Sequence, residues 1–187
     1  MPAMKSRDTS DFSEESLLSH PLFGGGLPAL AEEHLQQAGL SYQSYDIAED
    51  HLRQAQILAP DHFAVLIGLY RFYFYKGRMS EALGLANICL AKAAREKNFA
   101  ADWRDVRSGD ADFADYGDVL ARFYMFCLKG YAYLNMRLGD LAEGRVAVEK
   151  LLQLDPSDKI GARLLFDILE RARRDDVGQD DVGRDDD

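Results

Sequence analysis

An all-α fold of antiparallel helix–turn–helix pairs, stacked in about three repeats and closed by a C-terminal capping helix, follows from three features of the sequence. A helical apolar period runs from Pro28 to Ala172, and no stretch of strict two-residue alternation competes with it. One grammar recurs after Gln43, Gly77 and Gly139: a short turn, a small residue five positions on, and an apolar helical face. Glycine or proline stands where each segment has to stop.

Residues 1–27 read as a flexible polar segment with a short helix near Phe12 to Leu18, followed by the Gly-rich linker HPLFGGGLP at 20–28. The ordered body is expected over 28–174. Its first helix spans Pro28 to Leu40. The second, SYDIAEDHLRQAQILAPD, ends at Pro60, and Asp61 is placed to cap the third. Gly77 lies 34 residues after Gln43 and opens GRMSEALGLANICLAKA; Gly139 lies 62 residues further and opens GDLAEGRVAVEKLLQLDPSD. Ala48, Ala82 and Gly144 are the small residues where the two helices of a hairpin approach closely. Asp140 with Glu143 makes a capping-box-like start. The closing helix is expected over Lys159 to Ala172, with Ile160, Leu164, Leu165, Ile168 and Leu169 on its apolar stripe.

The third segment is delayed by 28 residues beyond the 34-residue period, which creates an insertion at about 97–116. It holds the single tryptophan, Trp103, and five aspartates between 102 and 115. A connector of this length is either packed, with Trp103 plugging a gap and Asp102 pairing with Arg104 or Arg107, or it contacts a partner through Trp103. Residues 175–187 carry seven aspartates and one arginine with no aromatic, the composition of a disordered acidic tail.

Composition narrows the function classes. Of the net charge of −10, the tail accounts for −6, and no basic domain exists to neutralise phosphates, so nucleic acid is not the expected partner. No window approaches 18 uninterrupted apolar residues and the first residues lack a signal-peptide core, so a cytoplasmic protein without a membrane span is expected. Cys89 and Cys127 lie in apolar helical runs and read as small buried hydrophobes.

No catalytic residue, metal ligand set or cofactor motif is expected either. His20, His34, His51 and His62 include no HExxH and no pair at four-residue spacing. DADFADYGDVLA (110–121) has Asp115 and Ala121 where a calcium loop needs Gly and Glu. The GGG at 24–26 lacks the Lys and Ser or Thr of a phosphate loop, and no GxSxG elbow occurs.

The repeat grammar resembles the tetratricopeptide repeat, a 34-residue helix–turn–helix unit. The second copy matches through Leu66, Leu69, Tyr73, Gly77, Ala82 and Cys89. The third matches through Leu128, Tyr131, Ala132, Gly139, Leu141, Gly144, Val148, Leu151 and Pro156. The first matches in its second helix through Tyr45, Ala48, Leu52, Ala55, Leu58 and Pro60. Gln43, Gly144 and Asn135 depart from the usual glycine, alanine and aromatic. The runs LYRFYFYKGR, ADWRDV and LKGYAYLNMRLGDLAEG are further similar to short tetratricopeptide-like proteins encoded among bacterial nitrogen-fixation genes.

These resemblances imply a non-catalytic adaptor that binds a protein or peptide segment, and an accessory role in nitrogen fixation. In the family's register the concave groove would be lined by Arg71, Phe74 and Tyr75 with Ile67, and by Phe126, Lys129, Tyr133 and Arg137 with Met136. Rings interspersed with cations suit a partner offering apolar anchors and carboxylates. The opposite reading, that the rings are core and the cations solvated, stays open. Phe72 to Tyr75 are consecutive and cover nearly every direction around a helix, so two of them belong in the core and two at the surface. Glu33 and Gln37 stand where a carboxylate-clamp variety would carry Lys and Asn. The alternative function is a self-associating module whose helix faces pack on a second copy.

Overall fold

The computed structural model describes residues 17–115 and 117–180, with side chains as far as Arg174. Most of the polar N-terminal segment, Tyr116 of the insertion and residues 181–187 lie outside the described residues. Seven α-helices form and no strand occurs among the described residues: α1 (Ala29–Leu40), α2 (Tyr45–Leu58), α3 (Phe63–Tyr75), α4 (Met79–Lys97), α5 (Val119–Arg137), α6 (Leu141–Leu154) and α7 (Arg163–Asp180). The expected single body divides into two compact units, the boundary falling between Cys89 and Leu90 inside α4.

In the first unit α1 packs on α2, and α3 packs on both. Ala31, Ala38, Ala48 and Ala55 are buried, and short side chains there let the α1 and α2 backbones come close. Helix α3 is apolar nearly all round, as a helix enclosed by neighbours must be; Val65, Leu66, Ile67, Leu69, Tyr70, Phe72 and Tyr73 are buried. Its cap is His62, whose Nδ1 accepts from the Ala64 amide at 3.2 Å, where Asp61 was expected. The imidazole supplies the acceptor that a first-turn amide needs. The linker expectation for 20–28 is also corrected. Pro21–Phe23 forms a 3-10 turn, and Phe23 is buried against Phe63 with ring centroids 5.2 Å apart. Leu17 and Leu18 are buried too, so the packed chain begins before Pro28.

The repeated turns have one physical form. After α3, Gly77 takes φ +76°; its amide donates to the Phe74 carbonyl (3.1 Å) and the Arg78 amide to the Tyr73 carbonyl (2.9 Å). After α5, Gly139 takes φ +94°, with Gly139 donating to Met136 (3.2 Å) and Asp140 to Asn135 (2.9 Å). Both are left-handed helix ends that satisfy the last carbonyls, a conformation glycine adopts without a Cβ penalty. Asp140 Oδ1 accepts from the Glu143 amide at 2.9 Å, as the capping pattern predicts.

In the second unit α6 packs against α5 and α7. Gly144 marks the close approach: a Cβ there would lie 2.5 Å from Met136 Cγ and 3.2 Å from the Ala132 carbonyl oxygen. The described residues of the connector 98–118 are folded. Phe99 packs on Phe113 and Tyr124, the Lys97 ammonium meets the Asp118 carboxylate at 2.5 Å, and Asp118 Oδ1 caps α5 at the Ala121 amide. Burial opposes the Asp118 charge, but the bonds from Lys97 and the backbone outweigh it and hold the carboxyl below its usual range. Lys150 Nζ and Lys159 Nζ donate to the carbonyls of Val106 (3.1 Å) and Ala114 (2.8 Å), fastening the connector at two more points.

The closing helix differs from its expected span. It starts at Arg163, not Lys159, because Asp158 (φ 55°) and Gly161 (φ 75°) turn the chain, and the Asp158 carboxylate caps the Ala162 and Arg163 amides. It also runs on to Asp180, so the first aspartates of the expected tail lie in a helix. Of its expected stripe, Leu165 and Leu169 are buried, while Leu164 and Ile168 are 65% and 45% exposed. The buried stripe is narrower than the sequence suggests.

Candidate functional site

In the first unit, Arg71 and Tyr75 sit four residues apart on α3 and line one cavity of 360 Å³. Leu35 and Ala38 from α1, Leu52 from α2 and Gly68 from α3 form much of its apolar wall. Arg71 is the single charged residue lining it. Gly68 keeps the space open: a Cβ there would touch Leu35 Cδ2 at 3.4 Å and Leu52 Cδ2 at 3.5 Å, ordinary packing distances. Tyr75 is 58% exposed, Phe74 is half-buried, and Phe72 and Tyr73 are buried, the expected two-and-two division of the aromatic run. Phe74 packs edge-on against Tyr75 and lies outside the cavity lining. Ile67, placed in the groove by the family register, is buried in the core.

The cavity is flanked by braced side chains. Lys76 Nζ donates to the Tyr42 carbonyl (3.0 Å) and stands 4.0 Å from the centroid of the Tyr42 ring, itself part of the lining. Glu49 accepts from Tyr73 (2.9 Å), Arg53 (2.7 Å) and Arg78 (2.9 Å). Burial works against its charge, and these donors more than offset it, so the carboxyl titrates below its usual range.

In the second unit, Phe126, Lys129, Tyr133 and Arg137 follow one another at spacings of three and four along α5, which places them on one stripe. Their uses are largely internal. Phe126 stacks on Phe123 at 6.3 Å. Lys129 Nζ donates to the Ile160 carbonyl at 2.7 Å, and Arg137 donates to the Tyr133 hydroxyl at 2.9 Å.

Trp103 is 7% exposed and packs on Tyr131, so it serves the packed connector and is withdrawn from the surface that a loop contact would need. The Arg104 guanidinium lies 4.3 Å over the indole and pairs with Glu143 at 2.5 Å, and also with Asp102 at 3.4 Å. Tyr131 donates to the same Glu143 at 2.5 Å; burial first, then this bond, pushes its phenol up to about 12. A second cavity of 620 Å³ beside the connector is lined by Arg104, Arg107 and Lys150 together with Asp105 and Asp110, mixed charges that select neither sign.

One histidine pair has no signature in sequence spacing. His34 on α1 and His51 on α2 bring their Nδ1 atoms to 2.9 Å, with ring centroids 5.2 Å apart and planes at 43°. They are 17 residues apart, so no spacing motif could register them. The available signal was the turn at 41–44, from whose centre the two histidines are equidistant.

A chain of helical hairpins with an apolar, arginine-edged cavity is, as a class, an all-α helical-hairpin protein. A protein of Azotobacter chroococcum mcd 1, described as an uncharacterized 19.8 kDa protein in the nifW 5' region, is 42% identical over 123 residues, which cover 65% of this chain and 69% of that protein. The chain belongs to the family of that protein. No family model matches it, and no solved structure matches it. No helix among the described residues is long and apolar enough to cross a membrane.

Proposed function

We propose that the chain is a non-catalytic interaction module of the tetratricopeptide-like kind, an accessory protein of nitrogen fixation that captures a protein segment in the α1–α3 cavity. The carrying observation is the cavity itself: apolar walls, one positive charge and an exposed tyrosine, which together suit an apolar side chain next to a carboxylate. The repeated left-handed turns at Gly77 and Gly139 support the repeat reading, and the nifW-region relative supports the accessory role.

Fluorescence anisotropy tests the reading with a labelled peptide carrying leucine or phenylalanine flanked by aspartate or glutamate. Arg71→Glu and Gly68→Leu are expected to weaken capture about tenfold, or about 1.4 kcal/mol. Equal binding by wild type and both variants would overturn it. In cells, deletion of the relative's gene in Azotobacter chroococcum should lower nitrogenase activity, with this chain restoring it and Arg71→Glu failing to. A second reading, self-association, is favoured by one observation: Leu164 and Ile168 are exposed four residues apart on α7. Sedimentation over a range of concentrations separates the two, since a monovalent adaptor stays monomeric.

A further inference from the structure

We propose that His34 and His51 form a two-imidazole site for a divalent late transition-metal ion, with copper, nickel and zinc as its chemical class. The four described histidines divide into two kinds. His20 and His62 each place Nδ1 on a backbone amide as helix caps, at Leu22 and Ala64, and His62 Nε2 further lies 2.9 Å from the Gly25 carbonyl. His34 and His51 aim Nδ1 at each other across the α1–α2 hairpin, at 2.9 Å.

The nitrogen spacing is close to that of a chelate. Tetrahedral coordination with metal–nitrogen bonds of about 2.0–2.1 Å sets two ligand nitrogens about 3.3 Å apart, so the nitrogens need to separate by roughly 0.4 Å and both rings to turn until their lone pairs converge on the ion instead of on each other. The two helices pack closely through buried alanines, so the rings are held near this spacing before any ion arrives. In the neutral pair one ring donates its Nδ1 proton to the other. Binding moves that proton through solvent to the donor ring's own Nε2, leaving both Nδ1 lone pairs on the metal with no net proton released. Both residues are half-exposed, so water completes the coordination shell. Glu33 and Asp50, each exposed and adjacent in sequence to one histidine, add negative potential that favours a cation.

Among the described residues no three His, Cys, Asp or Glu side chains group as metal ligands, which makes this a two-ligand site. Two imidazoles without carboxylate or thiolate favour Cu²⁺, then Ni²⁺ and Zn²⁺, over Mn²⁺, Mg²⁺ or Ca²⁺. Affinity is then modest and the site exchangeable, suited to a surface clip that tightens the α1–α2 hairpin flanking the apolar cavity.

The test is isothermal titration of untagged full-length protein with Ni²⁺ and with Zn²⁺. One equivalent should bind, and His34→Gln and His51→Gln should each weaken it at least tenfold, with His20→Asn unchanged. A second measurement needs no variant: mass-mapped carbethoxylation of the wild-type protein should show His34 and His51 protected by the metal and His20 not. Failure of wild type to bind, equal binding by His34→Gln, or modification of His34 and His51 undiminished by metal would each overturn the proposal. None of these outcomes bears on peptide capture through Arg71.

Discussion

The two units use the same kind of helix in different ways. On α3, the candidate residues Arg71 and Tyr75 edge a cavity that their neighbours leave open, because Gly68 contributes no side chain. On α5, the stripe of Phe126, Lys129, Tyr133 and Arg137 is engaged within its own unit: Lys129 donates to the Ile160 carbonyl and Arg137 to the Tyr133 hydroxyl. An ammonium has three N–H donors and a guanidinium five, so each of these bonds orients its cation without consuming it. What differs is the setting: Arg71 and Tyr75 edge a cavity, whereas Lys129 is oriented by the turn that precedes α7.

The sharpest way to break this contrast is to truncate one ring from each unit. Trp103→Ala removes a buried indole packed on Tyr131 and beneath Arg104, and should destabilise the protein by about 3 kcal/mol. Tyr75→Ala removes a ring that is more than half exposed and should change stability by no more than about 0.5 kcal/mol, while weakening peptide capture. Urea denaturation measures both. If Tyr75→Ala were the more damaging, the ring would be core and the cavity no binding site.

Much of the fold was legible because its causes are local. Gly77 and Gly139 end their helices through their own backbone freedom, and Asp140 caps α6 from three residues away. Where tertiary contacts decide, the sequence was silent or misleading. Phe23 lies in a glycine-rich run yet is buried by Phe63, 40 residues on; Leu164 and Ile168 continue an apolar period that α6 does not cover. The candidate site divides in the same way. Arg71 and Tyr75 meet because they are one helical turn apart, whereas Leu35, Leu52 and the His34–His51 pair reach their places only through the α1–α2 hairpin.

Two glycines sharpen the contrast at intermediate size. Gly144→Ala forces a Cβ to within 2.5 Å of Met136 Cγ and should cost about 1–3 kcal/mol as α5 and α6 are pushed apart. Gly68→Ala meets only ordinary contacts in mid-helix and should stabilise by about 0.5–1 kcal/mol. Thermal unfolding of the two variants should move in opposite directions. A loss of stability in Gly68→Ala would mean that the cavity wall has no room, and that the space beside Arg71 is not available to a ligand.

The smallest effect tests where the units are alike. Each holds a tyrosine–glutamate–arginine lock, Tyr73–Glu49–Arg78 in the first and Tyr131–Glu143–Arg104 in the second. Burial and then the glutamate bond raise both phenols above their ordinary value of 10.0, Tyr131 to about 12. A raised phenol contributes stability that is fully present below pH 10 and is lost as pH climbs through the folded value. Tyr131→Phe should therefore cost about 1 kcal/mol at neutral pH, from the missing hydrogen bond. Its stability curve should converge on that of wild type between pH 10 and about 12. Tyr73→Phe should converge in the same direction. Parallel curves for Tyr131→Phe would show that its hydroxyl is solvated and that the lock does not fasten the connector; convergence in one unit alone would extend the contrast between the units from their cavities to their locks.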